Sequence, residues 1–265
     1  MQVMSKLQFK DGDEILIADL GDHKMTYGGM ATPFGIRIYT TLANAGATDL
    51  QMFLSGALYS FIIFACQYIV GYWESINEIT IDKSLSLLVA VAAYLIVFRI
   101  TPISSIHASE HQLIHAMEKD EILSRDSVKS QNRVHPRCGT NFMSLILMLS
   151  VFISLIEQMP VASWFKFVCI IPALIFTSWS SGTVGGFLQK HFTTKTARDK
   201  DIDQAIKIGI EHNTKFVEYV CTHEKQPSIV KGFIMYIKNS GLLHTMFAYV
   251  IIHLWLSAFF KIPGN

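Results

Sequence analysis

The sequence predicts a mainly α, polytopic membrane protein with about four to five transmembrane helices, helical cytoplasmic loops and a small β-rich N-terminal segment. Three observations predict it. The 265 residues are 51% hydrophobic and only 16% charged, with a positive mean hydropathy, which is too apolar for an ordinary soluble domain. Five apolar runs, at about 51–70, 84–103, 141–157, 163–188 and 241–260, approach the roughly 20 residues a helix needs to cross a bilayer core. Basic residues alternate between the connections. Residues 104–140 carry Lys119, Arg125, Lys129, Arg133 and Arg137, and 189–240 carries nine more, whereas 71–83 has only Lys83 and 158–162 has none. Basic residues in short loops resist translocation, so the N-terminus and both polar loops are expected to face the cytoplasm, with the C-terminal "KIPGN" outside.

Taken in order, residues 1–50 form an N-terminal cytoplasmic segment, partly β. No signal-peptide pattern is read there, so the first apolar run is expected to direct insertion. Gly28, Gly29, Pro33 and Gly35 are expected turn formers between short alternating stretches such as "EILIADL". Residues 51–188 form the membrane domain, interrupted by the polar loop at 104–140. Its third run is short, but Glu157 and Pro160 end it, and with the fourth it should make a tight helical hairpin. Residues 189–240 are a cytoplasmic helical segment in which 199–221 has apolar residues at helical spacing behind an acidic start. Residues 241–265 supply the last transmembrane helix.

A net charge of +1 with scattered basic residues excludes a nucleic-acid footprint. Cys66 and Cys169 lie in apolar runs, Cys138 and Cys221 in polar ones, without disulfide spacing, and all four read as reduced thiols.

The chemistry concentrates in two polar stretches. "SSIHASEHQLIHAMEKD", residues 104–120, follows the second apolar run and reads as a helix that continues from it into the cytoplasm. His107, His111 and His115 recur at i, i+4 and i+8 along one face. The outer two cannot share an ion, because eight residues rise about 12 Å while metal–imidazole bonds are about 2.0–2.1 Å. His107/His111 and His111/His115 are therefore competing ligand pairs, and the remaining histidine supports the ligands, faces substrate or joins another metal site. "HASEH" reads as H-x-x-E-H, the inverted zinc-protease signature, with Glu110 handling a proton. The bland alternative is a solvated polar helix with histidines at the headgroup level.

"NRVHPRCGT", residues 132–140, adds His135 and Cys138 as a metal-competent pair, Arg137 as a bidentate donor and Gly139 at a tight turn. The third ligand is expected from His135 or Cys138, with Glu118, Asp201, Asp203, Glu211 and His212 as weaker candidates. Alternatively, Arg137 and His135 anchor lipid phosphates and Cys138 packs. Cys138 beside Arg137 would also suit a thiolate nucleophile, which needs no metal. His191 is a lesser candidate for this cluster, and His244 and His253 suit polar contacts between helices.

These residues resemble the YqhQ-like bacterial membrane proteins grouped as the DUF1385 family. Members carry "HGAEHK.IH", then "HPRCGT", then after two spans a "LQ" and "TT" segment before an acidic helix start. The counterparts here are "HASEHQLIH", "HPRCGT" and "FLQKHFTTKTARDKDIDQAI", so the likeness covers roughly residues 104–207. By that resemblance His107, Glu110, His111, His115, His135, Arg137 and Cys138 match motif positions, and Gln189, Thr193 and Thr194 match the later segment. It implies a metal-dependent enzyme of unknown reaction. The family's N-terminal "GGQAVIEGVMMR" is replaced by "YGGMATPFGIRI", which keeps the paired glycines and loses the glutamate; Ala108, Ser109 and Gln112 also depart from "HGAEHK".

The leading expectation is a metal-dependent, hydrolase-like membrane enzyme with its site at the cytoplasmic surface. His107 and His111 would hold a divalent metal, zinc by its ligands, with Glu110 as general acid/base and His115, His135 and Cys138 completing the site. Arg137, Glu118, Gln189, Thr193 and Thr194 would support the ligands or meet a membrane-delivered lipid or peptide. The alternatives are a scaffold or assembly factor with a structural metal and, third, a transporter, which spans nearly free of acids disfavour.

Overall fold

The computed structural model describes residues 6–11, 14–19, 26–77, 83–119, 122–222 and 227–262. An antiparallel hairpin, β1 (Lys6–Asp11) and β2 (Glu14–Asp19), precedes an antiparallel sheet of order β3-β4-β5, built from β3 (Gly28–Thr32), β4 (Gly35–Tyr39) and β5 (Asn44–Gly46). Among the described residues the helices are α1 (Asp49–Asn77), α2 (Lys83–Ile100), α3 (Ile103–Glu118), α4 (Arg125–Lys129), α5 (Gly139–Gln158), α6 (Ser163–Leu188), α7 (Asp199–Thr222), α8 (Ile229–Ser240) and α9 (Leu242–Phe259). A single π-helical turn, Gln189–Thr193, extends α6.

Helices α1, α5, α6 with its π turn, and α9 are each long and apolar enough to cross a membrane. Chain order gives them one polarity: α1, α5 and α9 start where polar segments end, and α2 and α6 run back into polar segments. The sheet, α3, α4 and α7 therefore join the same ends of the bundle and form a cap over it. The α5–α6 pair is the expected hairpin, tied by Ser144 Oγ donating to the Ser181 carbonyl at 2.9 Å. Helix α1 meets α9 at Gly56, where the missing side chain lets the Thr245 backbone approach, and Thr245 Oγ1 donates to the Met52 carbonyl at 3.1 Å. Small residues and hydroxyls at such contacts replace the hydrophobic drive that lipid removes.

The histidine helix does not continue the second span, contrary to the sequence reading. Helix α2 stops at Ile100, and α3 leaves it at a bend of 78°. Pro102 is the physical cause: it lacks an N–H, its ring crowds the carbonyl four residues back, and it disfavours helical geometry at Thr101. Ser104 Oγ donates to the freed carbonyls of Arg99 and Thr101, both at 3.1 Å. The bend lays α3 across the bundle end, so its histidines stay beside the membrane helices.

Helix α3 is buried on nearly every side, against the sheet, α4 and α7, in a core that includes Ile36, Ile38, Ile106, Leu113, Val128, Ile202 and Ile208. Helix α7 is the expected amphipathic helix. Its Asp201 is buried, accepting from Arg198 Nε at 2.7 Å and from the Ser105 hydroxyl at 2.5 Å, so it pins α7 to α3. Arg37 of β4 joins the cap to the bundle. It donates to the Asn239 carbonyl at 2.8 Å, at the end of α8, and to Asp49 Oδ1 at 2.7 Å, in the first turn of α1.

Pro33 lies in the turn between β3 and β4, and Gly35 closes it as the first residue of β4, at φ +133° and paired with Thr32. Gly28 and Gly29 do not form a turn. They lie inside β3, where a Cβ on Gly28 would overlap Tyr39 and Tyr236, and one on Gly29 would overlap the Glu110 carboxyl. Their role is close approach between backbone and side chain rather than turning.

Candidate metal centre

Helix α3 supplies His107, Glu110 and His111 to one region, and the stretch 132–138 lies along it. Asn141, at the start of α5, donates through Nδ2 to the Pro136 carbonyl at 2.6 Å, and its Oδ1 accepts from Gln189 Nε2 at 2.8 Å. Gln189 Oε1 in turn accepts from the His135 N–H at 2.8 Å. The ends of two membrane helices thus clamp the stretch that carries His135 and Cys138.

His107, His111 and Cys138 each offer one ligand atom, and these atoms lie within 4.8 Å of one another. Cys138 Sγ sits 3.4 Å from His107 Nε2. The other ring nitrogens are engaged by backbone: His107 Nδ1 lies 3.0 Å from the Thr193 carbonyl and His111 Nδ1 2.6 Å from the Arg133 carbonyl. A carbonyl can only accept, so both Nδ1 atoms carry the proton and both Nε2 lone pairs face Cys138. That arrangement is the usual support behind metal-binding imidazoles. The π turn has a purpose here, because it presents the Thr193 carbonyl to His107.

The Glu110 carboxyl lies in the same space, with Oε2 3.7 Å from His107 Nε2 and 3.8 Å from His111 Nε2. It is 4% exposed. Burial pushes its pKa up to about 8, against the opposing pull of His107. Burial also holds His111 well below the usual imidazole range and lowers His115 and His135. A buried acid beside two imidazoles and a thiol is a costly arrangement that a cation would relieve. The donor set fits a borderline-soft divalent ion such as zinc and leaves one position of a tetrahedral shell open.

The other histidines separate from this group. His115, Glu118 and His135 form a second cluster whose ligand atoms also lie within 4.8 Å. Arg137 is half-exposed and paired with Glu118, away from the thiol. The expected thiol depression is therefore not found: burial pushes Cys138 up, only partly offset by its hydrogen bonds with the Thr140 hydroxyl and N–H. Gln189, Thr193 and Thr194 act from behind the ligands, with Thr194 Oγ1 donating to the Gln189 carbonyl at 2.7 Å.

The weaker candidates lie elsewhere. Asp203 pairs with Arg125, Glu211 with Lys215, and Asp201 with Arg198. His212 is enclosed between Tyr27 and Phe216, and His191 packs on Phe187. His244 approaches Asp49 of α1 at 3.9 Å, an interhelical polar contact as expected, and His253 stacks on Tyr249.

Sequence reasoning missed Asn141, the Arg133 and Val134 carbonyls, and the glycine gap over Glu110. Only the last had a signal, the doublet Gly28–Gly29 in a strand-like stretch. Replacing Gly29 with alanine is expected to displace the Glu110 carboxyl at an overpacking cost of about 1–3 kcal/mol. Thermal unfolding of the purified variant would register that loss, and an unshifted midpoint would show that the gap is not needed.

The family described as "Protein of unknown function (DUF1385)" matches residues 38–196, a span that holds all six residues of the two clusters. The chain is 23% identical over 197 residues to "Uncharacterized protein YqhQ" of Bacillus subtilis (strain 168), covering 65% of this chain and 61% of that protein's length. No solved structure matches.

Proposed function

The chain belongs to the DUF1385 family, and we propose that it is a metal-dependent, hydrolase-like membrane enzyme working at the cytoplasmic surface of a bacterial plasma membrane. The observation that carries this reading is the convergence of His107 Nε2, His111 Nε2 and Cys138 Sγ beside the Glu110 carboxyl. A divalent ion bound there supplies Lewis acidity and lowers the pKa of water it holds.

The chain's own residues do the rest. Glu110 Oε2, 3.7 Å from His107 Nε2 and 3.8 Å from His111 Nε2, would take a proton from the attacking water and return it to the leaving group, the cation beside it favouring the ionised carboxylate. The Thr193 and Arg133 carbonyls keep the imidazoles in one tautomer and orientation. The thiol proton leaves when the ion binds, so metal affinity rises with pH.

Two features support a substrate delivered by the membrane, a lipid or a membrane peptide. The partly exposed ligands are His107 and Cys138, and they lie where α2 and α5 meet the cap, with Phe98 of α2 packed on the His107 ring. The cap itself joins the bundle at its polar end. The distribution of lysine and arginine supports a cytoplasmic cap.

Glu110→Gln is expected to retain the metal while abolishing turnover. Cells producing the wild type should differ in specific lipids or membrane peptides, by mass spectrometry, from cells producing the variant. A second reading, a scaffold whose metal only staples the cap, draws support from the burial of His111 and Glu110. Identical profiles with equal metal content would favour it over the enzyme.

A further inference from the structure

We propose that the chain binds a second divalent ion through His115, Glu118 and His135, separate from the first, and that this ion fixes the stretch carrying Cys138 to α3. The proposal does not depend on any catalytic activity. Three observations carry it.

The first is convergence: the three ligand atoms lie within 4.8 Å, the two imidazole rings are 4.5 Å apart, and His135 Nε2 is 3.5 Å from Glu118 Oε2. The second is the availability of lone pairs. His115 Nε2 faces the Val134 carbonyl at 3.0 Å, so it carries the proton and leaves Nδ1 free. At His135 the Arg137 N–H occupies Nδ1 at 3.2 Å, so Nε2 carries the ring proton toward Glu118 and offers its lone pair once that proton shifts to Nδ1 and the Arg137 bond opens. Arg137 pairs with Oε1 of Glu118, leaving Oε2 for an ion. The third is separation. The two clusters share no ligand, and their nearest rings, His111 of the first and His135 of the second, have centroids 5.7 Å apart, beyond the roughly 3.5–4 Å of ions sharing one reaction centre.

Two imidazoles and a carboxylate accept zinc, manganese or iron(II), with no thiolate to favour softer metals. The Glu118 side chain is 29% exposed, so this ion can exchange with solution. His135 precedes Cys138 by three residues, and a bridge from His135 to α3 holds the thiol at the first site.

Cobalt(II) distinguishes the two sites, because a thiolate ligand gives an intense charge-transfer absorption and nitrogen and oxygen ligands do not. Full-length detergent-purified protein, stripped with a chelator and titrated with cobalt(II), is expected to take up two ions per chain. Cys138→Ser should lose the charge-transfer band and keep one ion. His115→Ala and Glu118→Gln should each keep the band and also bind one. Saturation of the wild type at one thiolate-bound ion, or two ions retained in both of those variants, overturns the proposal. Should His115→Ala fail to fold, Glu118→Gln decides, its retained band reporting an intact first site. A missing band in the wild type counts against the first site alone, and the second is then judged by whether the single remaining ion disappears in Glu118→Gln.

Discussion

His111→Ala is expected to weaken zinc binding at the first site by more than about 100-fold. Losing a hydrogen-bond partner behind a metal ligand typically costs about 10–100-fold in affinity, and here the ligand itself is removed. His115 cannot substitute, because it is turned toward the Val134 carbonyl and belongs to the other cluster. Competition against a chromogenic chelator at fixed pH measures the change, with His191→Ala, whose ring packs on Phe187, as a control that should match the wild type. An affinity within a few-fold of wild type would remove His111 from the ligand set.

Acid is expected to unfold the metal-free protein through His212. This side chain is fully buried, and burial lowers its pKa from 6.5 to about 4. A depressed histidine holds fewer protons in the folded state than in the unfolded one, so its contribution is intact above pH 6.5 and is lost as pH falls through about 4. The loss amounts to about 3 kcal/mol once the ring is protonated. His111, His115 and His135 are depressed by burial too and act in the same direction. Denaturant unfolding of chelator-treated protein between pH 7 and 4 should show the decline. His212→Phe, which puts a ring that cannot ionise between Tyr27 and Phe216, should reduce it by about that amount. An equal decline in both proteins would contradict the assignment.

What could be read from the sequence was local. Apolar runs located α1, α2, α5, α6 and α9 because a span is a property of contiguous residues. The i, i+4 spacing located the histidine face, and the rise per residue already forbade His107 and His115 from sharing an ion. The bend at Pro102 was also local, but the apolar run that crosses it concealed the break. The remaining features depend on contacts between distant segments. Which of His135 and Cys138 joins which histidines is decided by the Gln189 and Asn141 clamp, from α5 and the end of α6. Gly29 approaches Glu110, 81 positions later, and no periodicity announces that encounter. Asp201 looked like a weak ligand, yet it had a nearer cation in Arg198, three residues before it.

The first metal centre is built jointly by α3 and the stretch ending at Cys138. X-ray absorption at the zinc edge of the loaded full-length protein tests it most directly. The expected spectrum has a sulfur neighbour at about 2.3 Å together with imidazole nitrogens at about 2.0–2.1 Å, the sulfur disappearing in Cys138→Ser. A spectrum with nitrogen and oxygen neighbours only would contradict it.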